Sequence, residues 1–154
     1  MKTKKTTIFW IIGIILVLVV LFAYPRLKNS GTEFSANVPC LIPNLPLVQH
    51  IHPQLKIFSD GKQETVPAEI GINSSCEKAL HTHDASGEIH VEAQDTKQYT
   101  FGDFMAVWGK SLDRPGYTYE FTADGQKIEN PLSLLLKDKQ EIIVKYKKVE
   151  QTNN

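Results

Sequence analysis

Leu80-His81-Thr82-His83-Asp84-Ala85-Ser86-Gly87-Glu88-Ile89-His90-Val91-Glu92 reads as two short strands around a tight turn. Residues i and i+2 of a strand share a face. Ile89 and Val91 therefore point one way, His90 and Glu92 the other. Asp84-Ala85-Ser86-Gly87 supplies the turn formers. The pattern predicts strands over 79–83 and 88–92, with His81 and His83 on one face and His90 returning beside them. Opposed residues in such a pair have Cβ atoms about 4.5–5.5 Å apart, a spacing that suits ligands of one metal ion. A second pair, His50-Ile51-His52, lies upstream, and all five histidines of the chain fall between His50 and His90. Neutral imidazole is the commonest protein ligand for zinc and copper. The expectation is one transition-metal ion, copper or zinc, with His81, His83 and His90 at its centre and His50 or His52 completing the shell. Asp84 and Glu92 are the carboxylates expected to orient the histidines, and Glu92 is also a candidate ligand or general base. The rival reading is a polar strand face whose imidazoles bond to Asp84, Glu88 and Glu92 without any metal.

Outward from this hairpin, the pattern alternates again. His50 to Phe58 puts Ile51, Leu55 and Ile57 on one parity and His50, His52, Gln54 and Lys56 on the other, as in a half-buried strand. Asp60-Gly61 is a hairpin turn signal, with a returning strand over about 63–66. Pro67 to Ile72 is an apolar connector. Downstream, the sequence predicts a short strand over 98–101 and a helix over 102–109, stopped by Gly109, with Phe104, Val107 and Trp108 in the core. Strands are predicted over 117–122 and 140–146, with an Asp124-Gly125 turn after the first, and residues 131–136 as a loop or one helical turn. The fold class is α+β: one small, mainly antiparallel β domain with one short helix.

The N-terminal end has another character. Ile8 to Tyr24 carries no charge and is dominated by Ile, Leu and Val, with Lys2, Lys4 and Lys5 before it. That length is near the minimum for a bilayer core of about 30 Å. The expected organisation is a basic cytoplasmic end at 1–6, an uncleaved transmembrane signal-anchor at 7–24, a linker at 25–37, an extracytoplasmic domain at 38–149 and a tail at 150–154. A cleaved signal peptide is the alternative. Three of the seventeen basic residues precede the apolar run and none of the seventeen acidic ones does, so the exported part is mildly acidic. No basic patch interleaved with aromatics appears, which argues against nucleic acid as a partner and leaves the membrane as the expected one. Cys40 and Cys76 are an even pair in an exported segment, which suggests a disulfide. Cys76-x4-His81 keeps a metal-ligand role for Cys76 open.

Four blocks together carry a resemblance: His50-Ile51-His52-Pro53, Val66-Pro67-Ala68-x-Ile70-Gly71-Ile72, the His81–Glu92 run, and Phe101-Gly102-Asp103-Phe104-x3-Trp108-Gly109. The chain resembles a family of small, often membrane-anchored bacterial and archaeal proteins over about residues 48–146. The resemblance implies an anchored exported domain and no particular activity. Asp124-Gly125-Gln126-Lys127-Ile128 and Leu136 to Val144 resemble the end of a β-grasp domain. The Gly-Gly terminus of sulfur carriers is missing, since the sequence ends Gln151-Thr152-Asn153-Asn154. His81-x-His83-x4-Glu88 is similar to the first metal motif of cupins, but no second motif follows. Leu80 to Asp84 resembles the opening motif of polymerase-and-histidinol-phosphatase hydrolases, whose later histidine ligands have no counterpart after His90.

Two function classes follow. One is a membrane-tethered domain that handles copper or zinc outside the cytoplasm. The other is a small hydrolytic or redox metalloenzyme with an open coordination position. A metal-free surface interaction module is the bland third.

Overall fold

A computed structural model of the protein describes residues 38–150. The expected cytoplasmic end, anchor and linker lie outside these residues. Among the described residues no helix is long and apolar enough to cross a membrane.

Among the described residues, ten strands and one α-helix appear in the order β1 (Gln49–Ile51), β2 (Gln54–Ser59), β3 (Lys62–Glu64), β4 (Ile72–Asn73), β5 (Cys76–Glu77), β6 (Leu80–His81), β7 (His90–Ala93), α1 (Phe101–Trp108), β8 (Tyr117–Ala123), β9 (Gln126–Lys127) and β10 (Glu141–Lys148), with a single 3-10 turn at Pro131–Ser133 before β10. A five-stranded sheet has the order β3-β2-β10-β8-β9 and a three-stranded sheet the order β1-β7-β6, with β4-β5 as a separate hairpin. Only β2 and β10 run parallel; the other paired strands are antiparallel. The domain is thus a small, mostly antiparallel α+β unit.

The five-stranded sheet forms because Leu55, Ile57, Phe121, Ile142 and Val144 alternate with polar residues and bury on one face. Helix α1 covers that core with Phe101, Phe104 and Met105, spaced i, i+3, i+4. Val107 and Trp108, expected in the core, are only half-buried against it. Residue 101, expected to end a strand, instead begins the helix. Thr100 caps it: its hydroxyl accepts from Asp103 N at 3.1 Å and its own N–H donates to Asp103 Oδ2 at 2.9 Å. Gly109 ends it at φ +69°, a left-handed conformation that glycine tolerates best.

The single strand expected over residues 50–58 is two strands in different sheets. Pro53 lies at the break. It lacks an N–H and has a fixed φ, so a ladder cannot run through it. Its carbonyl accepts from Ile89 N at 2.9 Å, and Gln54 N donates to Gln140 O at 2.8 Å. The chain therefore leaves the small sheet and joins the large one within three residues. The β4-β5 hairpin has no counterpart among the predicted strands, and the connector over residues 67–72 leads into it at Ile72. Cys40 and Cys76 are bonded, with Cα atoms 5.4 Å apart. That excludes Cys76 as a metal ligand.

Candidate metal centre

Strand β7 is the middle strand of the small sheet. Ile89, Val91 and Ala93 are buried on its inner face, so His90 and Glu92 face outward. On one side β1 places His50 opposite Glu92. On the other side β6 places His81 opposite His90. The β1 register, continued one step, brings His52 beside His90, and their rings lie 4.8 Å apart. His83 reaches the same face: its ring centroid is 4.6 Å from His81 and 4.5 Å from His90. His50 and His52 are 4.7 Å apart. The structure thus gathers all five sequence-predicted histidines into one continuous cluster.

The surrounding backbone explains why they hold there. Thr82, buried between the two histidines of β6, accepts from Ile70 N and donates its hydroxyl to Pro67 O at 2.9 Å. Glu69 N donates to Thr82 O, and Thr82 N to Ile70 O. Gly71 permits this close approach, since a Cβ there would meet Leu80 O at 2.4 Å. The turn before β7 docks on β2, where Leu55 N donates to Gly87 O at 2.8 Å. His52 is fixed by Asp138, whose Oδ1 accepts from His52 N at 3.0 Å.

His81 carries the clearest chemistry. Its side chain is fully buried. Nδ1 lies 2.8 Å from the Lys78 carbonyl, which can only accept, so the ring proton sits on Nδ1 and Nε2 carries the lone pair. That lone pair faces His83 Nε2 at 3.2 Å and Glu77 Oε1 at 3.2 Å. A neutral imidazole lone pair against a carboxylate oxygen is repulsive unless a cation lies between them. Burial pushes the His81 pKa down, against the Lys78 carbonyl and the Glu77 charge. Two nitrogens bound to one tetrahedral zinc at 2.0–2.1 Å stand about 3.3 Å apart, close to the His81–His83 separation.

His90 is also held below the ordinary imidazole pKa, first by burial and then by the neighbouring His83 and His52. Its Nδ1 is buried without a hydrogen-bond partner among the described residues. Glu92 Oε1 is 3.5 Å away, an ion-pair distance without hydrogen-bond alignment. Glu92 Oε1 also stands 3.3 Å from His50 Nε2. Two overlapping sets emerge, His50–His52–His90–Glu92 and His81–His83–His90–Glu92, each with ligand atoms within 4.8 Å of one another.

Asp84 does something simpler than orient a histidine. Its Oδ1 accepts from Ser86 N at 2.8 Å and closes the turn, and bonding to the Ser86 side chain, then to its backbone, lowers its pKa. The orienting acceptor of His81 is the Lys78 carbonyl instead. Glu77 is the residue that sequence reasoning missed. It lies four residues before His81 on a separate short strand, and arrives through the β4-β5 hairpin that Cys76 ties down. Glu88 Oε1, 3.3 Å from His90 Nε2, lines the rim. The histidines do not sit in the cavity of about 450 Å³ beside α1, whose walls include Ile57, Phe101, Trp108, Arg114 and Tyr146.

No protein-family model, curated protein or solved structure matches the chain.

Proposed function

We propose that this protein is a membrane-tethered metal-binding domain that holds copper or zinc outside the cytoplasm through its histidine cluster. The observation that carries the reading is His81. Its tautomer is fixed by a backbone carbonyl, and its buried Nε2 converges with His83 Nε2 and Glu77 Oε1, each 3.2 Å away. Such a carbonyl–histidine arrangement is how proteins aim imidazole at a metal. The choice of copper or zinc rests on the imidazole-rich donor set, which suits both. The uncharged run at Ile8–Tyr24 supports the tether, and the Cys40–Cys76 bond supports an oxidising compartment. The four-block resemblance to small anchored bacterial and archaeal proteins points the same way. The large sheet's order, with a parallel central pair flanked by hairpin partners and a covering helix, supports a β-grasp reading of that half.

A second reading, a small metalloenzyme, is favoured by one observation. The side chains of His50 and His83 are 54% and 51% exposed, so solvent or substrate can reach the cluster.

The test is metal content. The full-length chain, purified without a histidine tag, should carry zinc or copper and take it up again after chelation. His83→Ala should weaken uptake by far more than Ser86→Ala. An absence of bound metal, with no response of the melting temperature to added zinc or copper, overturns the reading.

A further inference from the structure

Resting on that metal-binding reading, we propose that the cluster takes two transition-metal ions, which share His90 and Glu92. The sheet order makes the case. The shared pair is on the central strand β7, and each flanking strand leads in its own histidine pair, His50 on β1 with His52 just past its end and His81 on β6 with His83 just past its end. The two candidate ligand sets overlap only in His90 and Glu92.

The donor count argues the same way. Five imidazoles and Glu92 already exceed the four positions of a closed zinc site, and Glu77 adds a seventh donor. One four-coordinate ion would leave three of these seven donors outside its shell. Charge agrees as well. Glu77, Glu88 and Glu92 are the carboxylates that touch the imidazoles of β6 and β7. With His90 as the shared imidazolate and the other histidines neutral, the site carries four negative charges, which two divalent ions balance and one does not.

His90 is suited to sharing. His81 has one nitrogen committed to a backbone carbonyl, so it can serve one ion only. His90 has neither nitrogen so committed, with Nδ1 buried near Glu92 and Nε2 3.3 Å from Glu88, so on releasing its ring proton to solvent it would offer one nitrogen to each ion as an imidazolate. A carboxylate such as Glu92 offers two oxygens and bridges metal pairs readily. The β1 side would hold one ion through His50 and His52, and the β6 side the other through His81, His83 and Glu77.

The experiment titrates the metal-free full-length chain with zinc alone and counts ions by native mass spectrometry. It then repeats the loading with copper(II) and measures electron paramagnetic resonance. Two zinc ions per chain are expected. His50→Ala should retain one, His83→Ala should retain one, and the double variant none. The copper-loaded protein should show the lost signal intensity of a coupled pair. Circular dichroism melts of each variant, with His50→Gln and His83→Gln as milder partners, separate ligand loss from unfolding. One ion per chain overturns the shared pair and leaves the metal-binding reading standing. No ion overturns both. Two ions with full, uncoupled copper intensity, both retained in His90→Ala, overturn the sharing.

Discussion

The large and small sheets obey the same alternation yet are held in different ways. In the large sheet, β10 pairs with β2 over six residues and with β8 over seven. Its inner face is wholly apolar, packed by α1. In the small sheet, β7 pairs with β1 over three residues and with β6 over two. Strands that short are marginal by themselves. They are fixed from outside by the Cys40–Cys76 bond, by the Thr82 hydrogen bonds and by the Gly87 turn seated on β2. The comparison teaches a division of labour. Apolar residues of both sheets, Leu55 and Ile142 from the large one and Leu80 and Val91 from the small one, share one core that provides the folding energy. The small sheet then tolerates a face of mutually crowded imidazoles, which contributes little to stability and is available for chemistry.

The sharpest attempt to break this comparison is truncation in the large core. Phe104→Ala, at a fully buried position, should cost about 3–5 kcal/mol. Denaturant melts would show it as a large drop in midpoint. A loss below about 1 kcal/mol would mean the core energy lies elsewhere.

Next comes the staple of the small sheet. The pair closes a loop with a sequence separation of 36, for which chain entropy gives about 4 kcal/mol. Replacing both cysteines by serine should cost about 2–4 kcal/mol. It should also weaken metal uptake, because Cys76 leads directly into Glu77 and Lys78, which face His81. Unchanged metal affinity in this variant would uncouple the bond from the site.

A pH comparison sharpens the picture at intermediate scale. Burial holds His81 and His90 below the ordinary value of 6.5 in the folded protein. Between the folded and unfolded values the unfolded chain binds more protons, so stability rises with pH across that window. Metal-free protein should therefore be more stable near pH 7.5 than near pH 5. The loss should begin as pH falls through about 6.5. Urea midpoints at the two pH values check the sign, and a reversed slope would mean that the carboxylates, not the imidazoles, dominate.

The smallest effect should come from the turn. Ser86 is exposed, and its hydroxyl accepts from Glu88 N at 3.2 Å and bonds to Asp84 within the turn. Ser86→Ala should shift stability by no more than about 0.5 kcal/mol and leave metal uptake intact. A shift several times larger would show that the turn tunes the register of β7.

Much of the local design was legible in the residues. His-x-His and His-x-Glu spacing fixes which side chains share a face, because the strand period of two is a property of the backbone. Thr100, Asp103 and Gly109 mark the ends of α1 by their capping chemistry, although the helix begins at Phe101 rather than Gly102 because that ring is needed in the core. An even cysteine pair anticipated the disulfide.

The tertiary structure alone decided which faces meet. Nothing local says that the chain changes sheets at Pro53, that β7 lies between β1 and β6, or that Glu77 joins His81 through a hairpin tied by Cys76. Those outcomes depend on where distant apolar residues bury together, and on hydrogen bonds such as Ile89 N to Pro53 O that link segments 36 residues apart. Sequence spacing sets side-chain direction, while common burial of Leu55, Ile89, Val91 and Phe101 in one core sets the neighbours. Hence the ligand types and their pairing belong to the sequence, and the gathering of five imidazoles onto one surface belongs to the fold.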